Sequence, residues 1–163
     1  MYKIKLISFL IVIFLSSSAH ALIEVDITRG NLNPLPIAVS PSSIDDNSKK
    51  NFEKILKRKN IGSEISSIVE KNLKTSGLFN PLNKDAFLQA ADIAHLKPRF
   101  EDWNLIKAQA LITGKVNYVD EKLRVEFRLW DVLAGKEMMA LAFTTVPNNW
   151  RRVGHIITDK VYE

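Results

Sequence analysis

The sequence predicts an α/β domain of two to three layers, in which helices flank a mixed sheet of roughly five strands. Apolar residues recur at helical spacing within residues 61–75 and 149–163, as in amphipathic helices that cover a sheet. Apolar and polar residues alternate over three segments between residues 110 and 145, which is typical of an antiparallel meander. The 163 residues suffice for one such domain with its own hydrophobic core.

The first 21 residues have the composition of a secretory signal peptide. Two lysines lie within the first five residues, residues 6–15 are almost continuously apolar, and residues 19–21 read Ala-His-Ala. A positive start, an apolar run of about 7–15 residues and a small-x-small site are the parts of such a signal. The run is shorter than the ~20 residues that span a bilayer. We expect cleavage between Ala21 and Leu22; an uncleaved N-terminal anchor is the alternative.

The composition of the remaining 142 residues excludes several classes of protein. The chain has no cysteine, so it has neither a lipid-attachment cysteine nor disulfides. Loss of the two lysines lowers the formal charge from +5 to +3, an excess too small to predict binding to nucleic acid. Only His95 and His155 remain, far apart in sequence, and we expect neither a metal site nor a cofactor. We also expect no stable membrane insertion after cleavage.

Residues 22–33 form a candidate binding arm. Its first part alternates strictly, as a strand does: Leu22, Glu24, Asp26 and Thr28 point one way, and Ile23, Val25 and Ile27 point the other. A linker rich in glycine, asparagine and proline follows and ends at Pro34. A strand tied on in this way can add to the sheet edge of another protein. The alternative is an edge strand of its own domain.

The domain proper is expected to span residues 34–163 and to begin with a short strand at Pro36–Ser40. Residues 42–60 follow and are rich in lysine. Phe52, Ile55 and Leu56 fall at helical spacing there, which favours a solvated helix face above three apolar anchors. A basic patch for anionic lipid or another polyanion is the alternative.

Residues 61–82 predict a helix, a turn and a strand. One apolar stripe is formed by Ile61, Ile65, Ile68, Val69 and Leu73. Gly77 suits the left-handed position that ends helices, and Pro81 restricts residues 78–82 to a short or edge strand. A helix is then expected over Lys84–Ile93, and a short helix capped by Glu101 or Asp102 after it.

The last part predicts three strands and a helix. Turns are expected at Asp120-Glu121 and Ala134-Gly135, and the alternation gives the sheet one well-buried face and one wetter face. Residues 149–163 then form a helix whose inner side carries Trp150, Val153, Ile157 and Val161. His155 and Asp159 are expected to form a surface pair. Because this helix reaches the end of the chain without a cap, we expect the front part of a longer protein.

No pattern indicates an enzyme. The sequence has no nucleophile elbow, no glycine-rich phosphate loop and no metal-ligand spacing. Acidic pairs at residues 45–46, 101–102 and 120–121 fall in expected turns and caps, where carboxylates usually accept hydrogen bonds from backbone amides.

Several ordered motifs give the chain a family resemblance. They are Leu73-x-x-Ser76-Gly77-Leu78-Phe79, Pro98-Arg99-Phe100-x-Asp102-Trp103, Ala108–Gly114, Leu123–Val132 with Ala134-Gly135, and Asn149–Asp159. In these motifs the sequence resembles the amino-terminal domain of the TolB family, periplasmic proteins of the Tol–Pal cell-envelope system, in its alphaproteobacterial form. The resemblance covers essentially the whole chain after residue 21, with a more lysine-rich stretch at residues 48–60 than the family leads us to expect.

The resemblance implies a periplasmic adaptor that supports outer-membrane integrity and invagination during division. In the family the mature N-terminus binds the C-terminal domain of TolA, which implies that residues 22–33 are the TolA-binding arm and that residues 22–28 make the contacts. The family's six-bladed β-propeller binds the lipoprotein Pal. That propeller would follow residue 163, so no residue here is assigned to Pal.

A periplasmic glycan or small-ligand binding module is the alternative function. It would use the wetter sheet face around Arg124, Arg128 and Trp130, where the indole ring would stack on a sugar. A tryptophan buried in the core is the competing interpretation of Trp130.

Overall fold

The computed structural model describes residues 33–163; the predicted signal peptide and all but the last residue of the arm lie outside the described residues. In this part of the chain the strands are β1 (Leu35–Val39), β2 (Ser43–Ile44), β3 (Phe79–Pro81), β4 (Ala110–Val119), β5 (Lys122–Asp131) and β6 (Lys136–Thr145). The helices are α1 (Asp46–Leu56), α2 (Ile61–Thr75), α3 (Ala91–Leu96), α4 (Phe100–Leu105) and α5 (Trp150–Tyr162).

The strands form one mixed sheet in the order β3-β1-β4-β5-β6, with β2 pairing beside β4. β1 runs parallel to both of its neighbours, β3 and β4. β4, β5 and β6 form the predicted antiparallel meander. The predicted fold class is therefore confirmed, with the two-residue β2 as an addition to the five expected strands.

One face of the sheet packs against α1, α2 and α5. The core there includes Phe52, Ile65, Val125, Phe127 and Trp150. α2 and α5 contact each other directly, and their predicted apolar stripes face this core. Full burial of one large apolar side chain contributes about 1.5–3 kcal/mol, so this layer holds the domain together.

The opposite face of the sheet was predicted to be the wetter one, but helices cover more of it than the sequence suggested. α3 and α4 lie over it, and the residues packed there form the α3–α4 cluster: Ala38, Ala94, Trp103, Ala108, Leu111, Trp130 and Val132. β4 is apolar on both faces in its first half, where Leu111 and Ile112 are both buried. Consecutive residues of a strand point to opposite faces, so two apolar residues in succession indicated that both faces of the sheet are covered. The charged row of β5 remains partly exposed beyond the cluster.

Four details of the predicted helices are wrong. Residues 84–93 are not one helix: a 3-10 turn at Lys84–Ala86 is separated from α3 by extended residues, because the Asn83 side chain accepts from the Asp85 amide and forms a tight turn. Glu101 and Asp102 lie in the first turn of α4, whose N-cap is Arg99.

The other two corrections concern α1 and α5. Ile55 is 45% exposed, so Phe52 and Leu56 anchor α1 without it. α5 begins one residue later than expected, after the 3-10 turn Pro147–Asn149.

The predicted turns are confirmed. Gly77 follows α2 with a φ of 73°, and Gly135 lies between β5 and β6 with a φ of 63°. Asp120 and Glu121 join β4 to β5 with φ of 50° and 59°. Two successive left-handed residues match the twist of the strands they join.

Candidate functional site

The predicted partner-binding residues, Leu22 to Thr28, lie outside the described residues, and so does the predicted cleavage site. The structure shows where the arm joins the domain. Asn33 is exposed, and β1 starts two residues later in the interior of the sheet. The Leu35 amide donates to the Leu78 carbonyl at 2.9 Å, so the chain is fixed from this residue onward. A segment that precedes residue 33 is thus attached to a central strand with neighbours on both sides.

An apolar groove opens beside this attachment point. It has a volume of about 260 Å³. Its lining includes Leu35, Phe79, Leu133, Met138 and Val161. Leu133 and Met138 are 67% and 60% exposed, so the groove presents apolar surface to its surroundings. It can accept apolar side chains through burial, and its polar lining residues are Gln109 and Asp131.

The acidic pairs lie where the sequence predicted them, in turns and helix starts. Asp45 is the N-cap of α1 and accepts from the Ser48 amide at 2.8 Å and from the Ser48 hydroxyl at 2.7 Å. These hydrogen bonds lower the pKa of Asp45. Asp102 pairs with Arg99 at 2.6 Å. Asp45 and Asp102 are therefore engaged in local structure.

The two histidines lie on different helices, His95 on α3 and His155 on α5. The expected contact of His155 with Asp159 is wrong: His155 Nδ1 lies 2.9 Å from Asn72 Nδ2, which links α5 to α2. His95 is 4% exposed, and its Nδ1 has no hydrogen-bond partner among the described residues. Burial, aided by the nearby Arg128, lowers the pKa of His95. Within residues 33–163 we find no group of side chains that could hold a metal ion.

Trp130 is a core residue, so it cannot serve as the sugar-stacking ring on which the alternative function, a glycan-binding module, depends. It is 8% exposed, and its Nε1 donates to Thr113 Oγ1 at 2.9 Å. The Phe100 ring packs edge-on against it, with ring centroids 5.9 Å apart. The two arginines are also engaged, Arg124 with Glu126 and Arg128 with Glu137. The indole ring of Trp130 is therefore not available to stack on a sugar, and this alternative is not favoured.

The lysine-rich stretch is a solvated helix face with local ion pairs. Lys49 pairs with Asp46, and Lys59 pairs with Glu53, both at 3.2 Å. Arg58 pairs with Glu64, and its guanidinium carbon lies 5.1 Å from the centre of the Trp150 ring. These contacts favour the structural interpretation of residues 42–60 over a polyanion site.

Sequence reasoning missed the outer edge of β6. Within residues 33–163, β6 pairs with β5 alone, so the other side of its backbone has no strand partner there. The signal was available: residues 139–145 contain no charge, no proline and no glycine. Among residues 33–163, none of the helices combines the length and the apolar composition that a membrane-spanning helix needs.

The sequence of the chain is similar to that of proteins of one known family. The family model of the TolB amino-terminal domain matches residues 23–138. A Tol-Pal system protein TolB from Pelagibacter ubique (strain HTCC1062) is 78% identical over 155 residues, which cover 95% of this chain and 35% of that protein. The chain thus spans about a third of the length of this relative.

A solved structure shares the fold. The crystal structure of TolB from Acinetobacter baumannii superimposes with a TM-score of 0.61 at 21% identity, over 79% of this chain and 27% of that one. At this identity the likeness concerns the fold. The family match and the Pelagibacter relative, taken together with the mixed sheet and its flanking helices, show that the chain belongs to the TolB amino-terminal domain family.

Proposed function

We propose that the chain works in the periplasm as a non-enzymatic adaptor of the Tol–Pal system, with residues 22–33 as the arm that binds the C-terminal domain of TolA. The family membership carries this proposal, because the Pelagibacter relative is named as a Tol-Pal system protein. The match to the family begins at residue 23, so it includes the alternating residues of the arm.

The chemistry of the arm suits strand addition. Ile23, Val25 and Ile27 share one side and supply apolar anchors, while Glu24 and Asp26 on the other side meet a basic surface of the partner. Main-chain hydrogen bonds then give affinity, and the alternate side chains give specificity. A segment that becomes ordered on binding loses about 2–5 kcal/mol of the gross interaction energy. A modest affinity follows, which suits a link that forms and breaks repeatedly.

The attachment point supports the same role. Because β1 starts at Leu35 between two neighbours, the arm can leave the domain without disturbing the core. Signal cleavage between Ala21 and Leu22 would place the arm at the free end of the mature chain. Pal is expected to bind the propeller that follows in the longer family members, and through it the adaptor would link TolA to the outer membrane.

Calorimetric titration against the TolA C-terminal domain tests the proposal. We expect residues 22–163 to bind and residues 34–163 to show no binding heat. Val25→Lys should abolish binding, because it places a charge among the apolar anchors. Val119→Lys is the matched control: Val119 is 47% exposed at the β4–β5 turn, and the same substitution there should leave the affinity unchanged.

Two results would count against the arm. Equal binding by the chains that start at residue 22 and at residue 34 would move the interface to the folded domain. Binding that survives Val25→Lys would remove the apolar anchors from the interface. The proposal also places residues 22–28 at a free N-terminus, which requires cleavage after Ala21; N-terminal sequencing of the exported chain measures this.

A further inference from the structure

Packing alone holds α3 on the sheet. This helix has six residues, and its N-cap, Ala90, makes no side-chain hydrogen bond. It contacts β4 and β2, but among residues 33–163 no hydrogen bond or ion pair joins it to another element. Its buried residues are Ala94 and His95. A helix of this length is not stable in water by itself, so α3 depends on these two side chains.

The side chain of Gln89 ties the two ends of the α3 segment together. It accepts from the Arg99 amide and from Trp103 Nε1, and it donates to the Lys97 carbonyl at 3.1 Å. Residues 90–96 therefore form a segment whose ends are fixed close to each other. Because these hydrogen bonds lie outside the segment, it can leave the sheet without displacing α4.

His95 is the titratable side chain that α3 buries. Its Nδ1 is buried and has no hydrogen-bond partner among the described residues. A neutral ring can present a lone pair at this atom, whereas a protonated ring carries an N–H at both nitrogens. Protonation would thus create a buried charge and a buried donor without an acceptor, and burial lowers the pKa of His95 accordingly.

The charged groups around the ring do not stabilise an imidazolium. After burial, Arg128 of β5 and Lys115 of β4 lower the pKa of His95 further, and Glu126 of β5 opposes them. The carboxylates of the neighbouring elements are engaged: Glu126 pairs with an arginine of β5, and Asp45 caps α1. The closed position of α3 therefore accepts the neutral ring and disfavours the charged one.

A cavity of about 200 Å³ lies between α3, β2 and β4. It is lined by Asp92, His95 and Leu96 of α3, by residues 43–45 and by Lys115. α3 is thus not closely packed on this side, and a small displacement brings the imidazole into water. There the charged ring is solvated, and the exposed Asp92 lies three residues before it on the same helix face.

We propose that residues 90–96 are a proton-operated flap: protonation of His95 in mild acid releases this segment from the sheet, while Gln89 and α4 stay in place. Opening removes Ala94 from the α3–α4 cluster and uncovers the apolar sheet face, where Leu111 is fully buried in the closed form. Loss of the proton closes the flap again. The flap is a property of the folded domain and does not depend on the proposed function.

Amide hydrogen exchange of the full exported chain, followed by NMR at pH 7.5 and pH 5.5, tests the flap. Protection factors are compared, since they exclude the intrinsic effect of pH on exchange. If the open form has the ordinary imidazole pKa of 6.5 and the closed form takes up no proton, protection falls about tenfold between the two conditions. We expect this loss at the Ala94 and Lys97 amides, which donate within α3, and none in α4 or β4.

Three variants separate the flap from other effects of acid. His95→Gln should show equal protection of α3 at both pH values, because glutamine does not titrate. His155→Gln is the matched control at an exposed histidine of α5 and should keep the tenfold loss. Gln89→Ala removes the tie between the ends of the segment, so the loss in acid should spread to the amides of α4.

The ring signals of His95 provide a test that needs no variant. In the native chain the imidazole should titrate below pH 6.5, with the same midpoint as the loss of α3 protection. Titration of the ring while α3 stays protected would overturn the proposal, and so would equal protection at both pH values. A loss shared equally by α3, α4 and β4 would identify unfolding of the whole domain instead. A loss that persists in His95→Gln would assign the proton to another group.

Discussion

Gln89 is the polar side chain that organises the α3–α4 cluster. It is 5% exposed; its Oε1 accepts from Trp103 Nε1 at 3.0 Å and from the Arg99 amide at 2.9 Å. Its Nε2 donates to the Lys97 carbonyl at 3.1 Å. One side chain thus satisfies two backbone groups of the segment that connects α3 with α4 and the indole N–H of Trp103 in α4.

Gln89→Ala should therefore lower the free energy of unfolding by about 2–3 kcal/mol, because buried donors are left without a partner. Urea unfolding followed by Trp fluorescence measures the loss. Gln109→Ala, at an exposed glutamine, should change stability by less than about 0.5 kcal/mol. If Gln89→Ala lowered the free energy of unfolding no more than Gln109→Ala does, the hydrogen bonds of Gln89 would contribute nothing to stability.

His95 should make the domain less stable in mild acid. Its folded-state pKa is lowered from 6.5, first by burial and then by Arg128, with Lys115 adding to the effect and Glu126 opposing it. As the pH falls through 6.5, the unfolded chain takes up a proton that the folded chain resists. The unfolded state then binds more protons, so stability falls with the pH until the folded pKa is reached.

The measurement is the difference in unfolding free energy between pH 7.5 and pH 5.5 for the native chain and for His95→Gln. We expect a smaller difference in the variant, since it has no imidazole to titrate. Identical differences would show that His95 titrates alike in both states.

The close contact of α2 with α5 depends on Gly154. A Cβ built there would lie 2.9 Å from Ile68 Cγ2 and 3.0 Å from Ile68 Cβ. Alanine is the better helix former by about 1 kcal/mol, but overpacking costs about 1–3 kcal/mol. We expect Gly154→Ala to destabilise the domain, as measured by urea unfolding.

The same substitution in an Ile68→Ala background should cost less, because the nearest atom is gone. A stabilising Gly154→Ala in the native background would show that the two helices separate without penalty. The double-mutant cycle gives the coupling between the two positions directly.

The elements that sequence reasoning located correctly are those whose pattern repeats. α2, β4, β5 and β6 each carry an apolar period over ten residues or more, and Gly77, Asp120 and Gly135 in the turns are residue types suited to a positive φ. The short elements between residues 84 and 105 have no such period. Their course depends on Gln89, whose partners are up to 14 residues away, and a local pattern does not contain that information.

The candidate sites also differ in whether a local sequence pattern or the tertiary structure reveals them. The alternation of residues 22–28 was visible in the sequence, and it remains a prediction. The openness of β6 is a property of strand order: the sequence shows an uncharged strand, and the sheet shows that this strand lies at an edge. The role of Trp130 was decided by its burial against Phe100 and Thr113, which are distant in sequence.

For the whole molecule, the domain should fold without its arm. Both hydrophobic clusters lie between residues 35 and 163, and the first strand begins at Leu35. We expect residues 34–163 and residues 22–163 to unfold at the same urea concentration with the same slope. A lower slope for the shorter chain would mean that residues 22–33 bury surface in the folded state.

The interior position of β1 also determines how the domain responds to mechanical load. A partner that pulls on residues before 33 transmits force along the axis of a strand with parallel ladders on both sides. Tension in that direction shears the hydrogen bonds of both ladders together, whereas a strand at the margin of a sheet can be peeled away bond by bond. A pull on the residues before 33 would therefore have to break both ladders of β1 at once, and we expect the domain to withstand it better than if the chain entered the sheet through a strand at its margin.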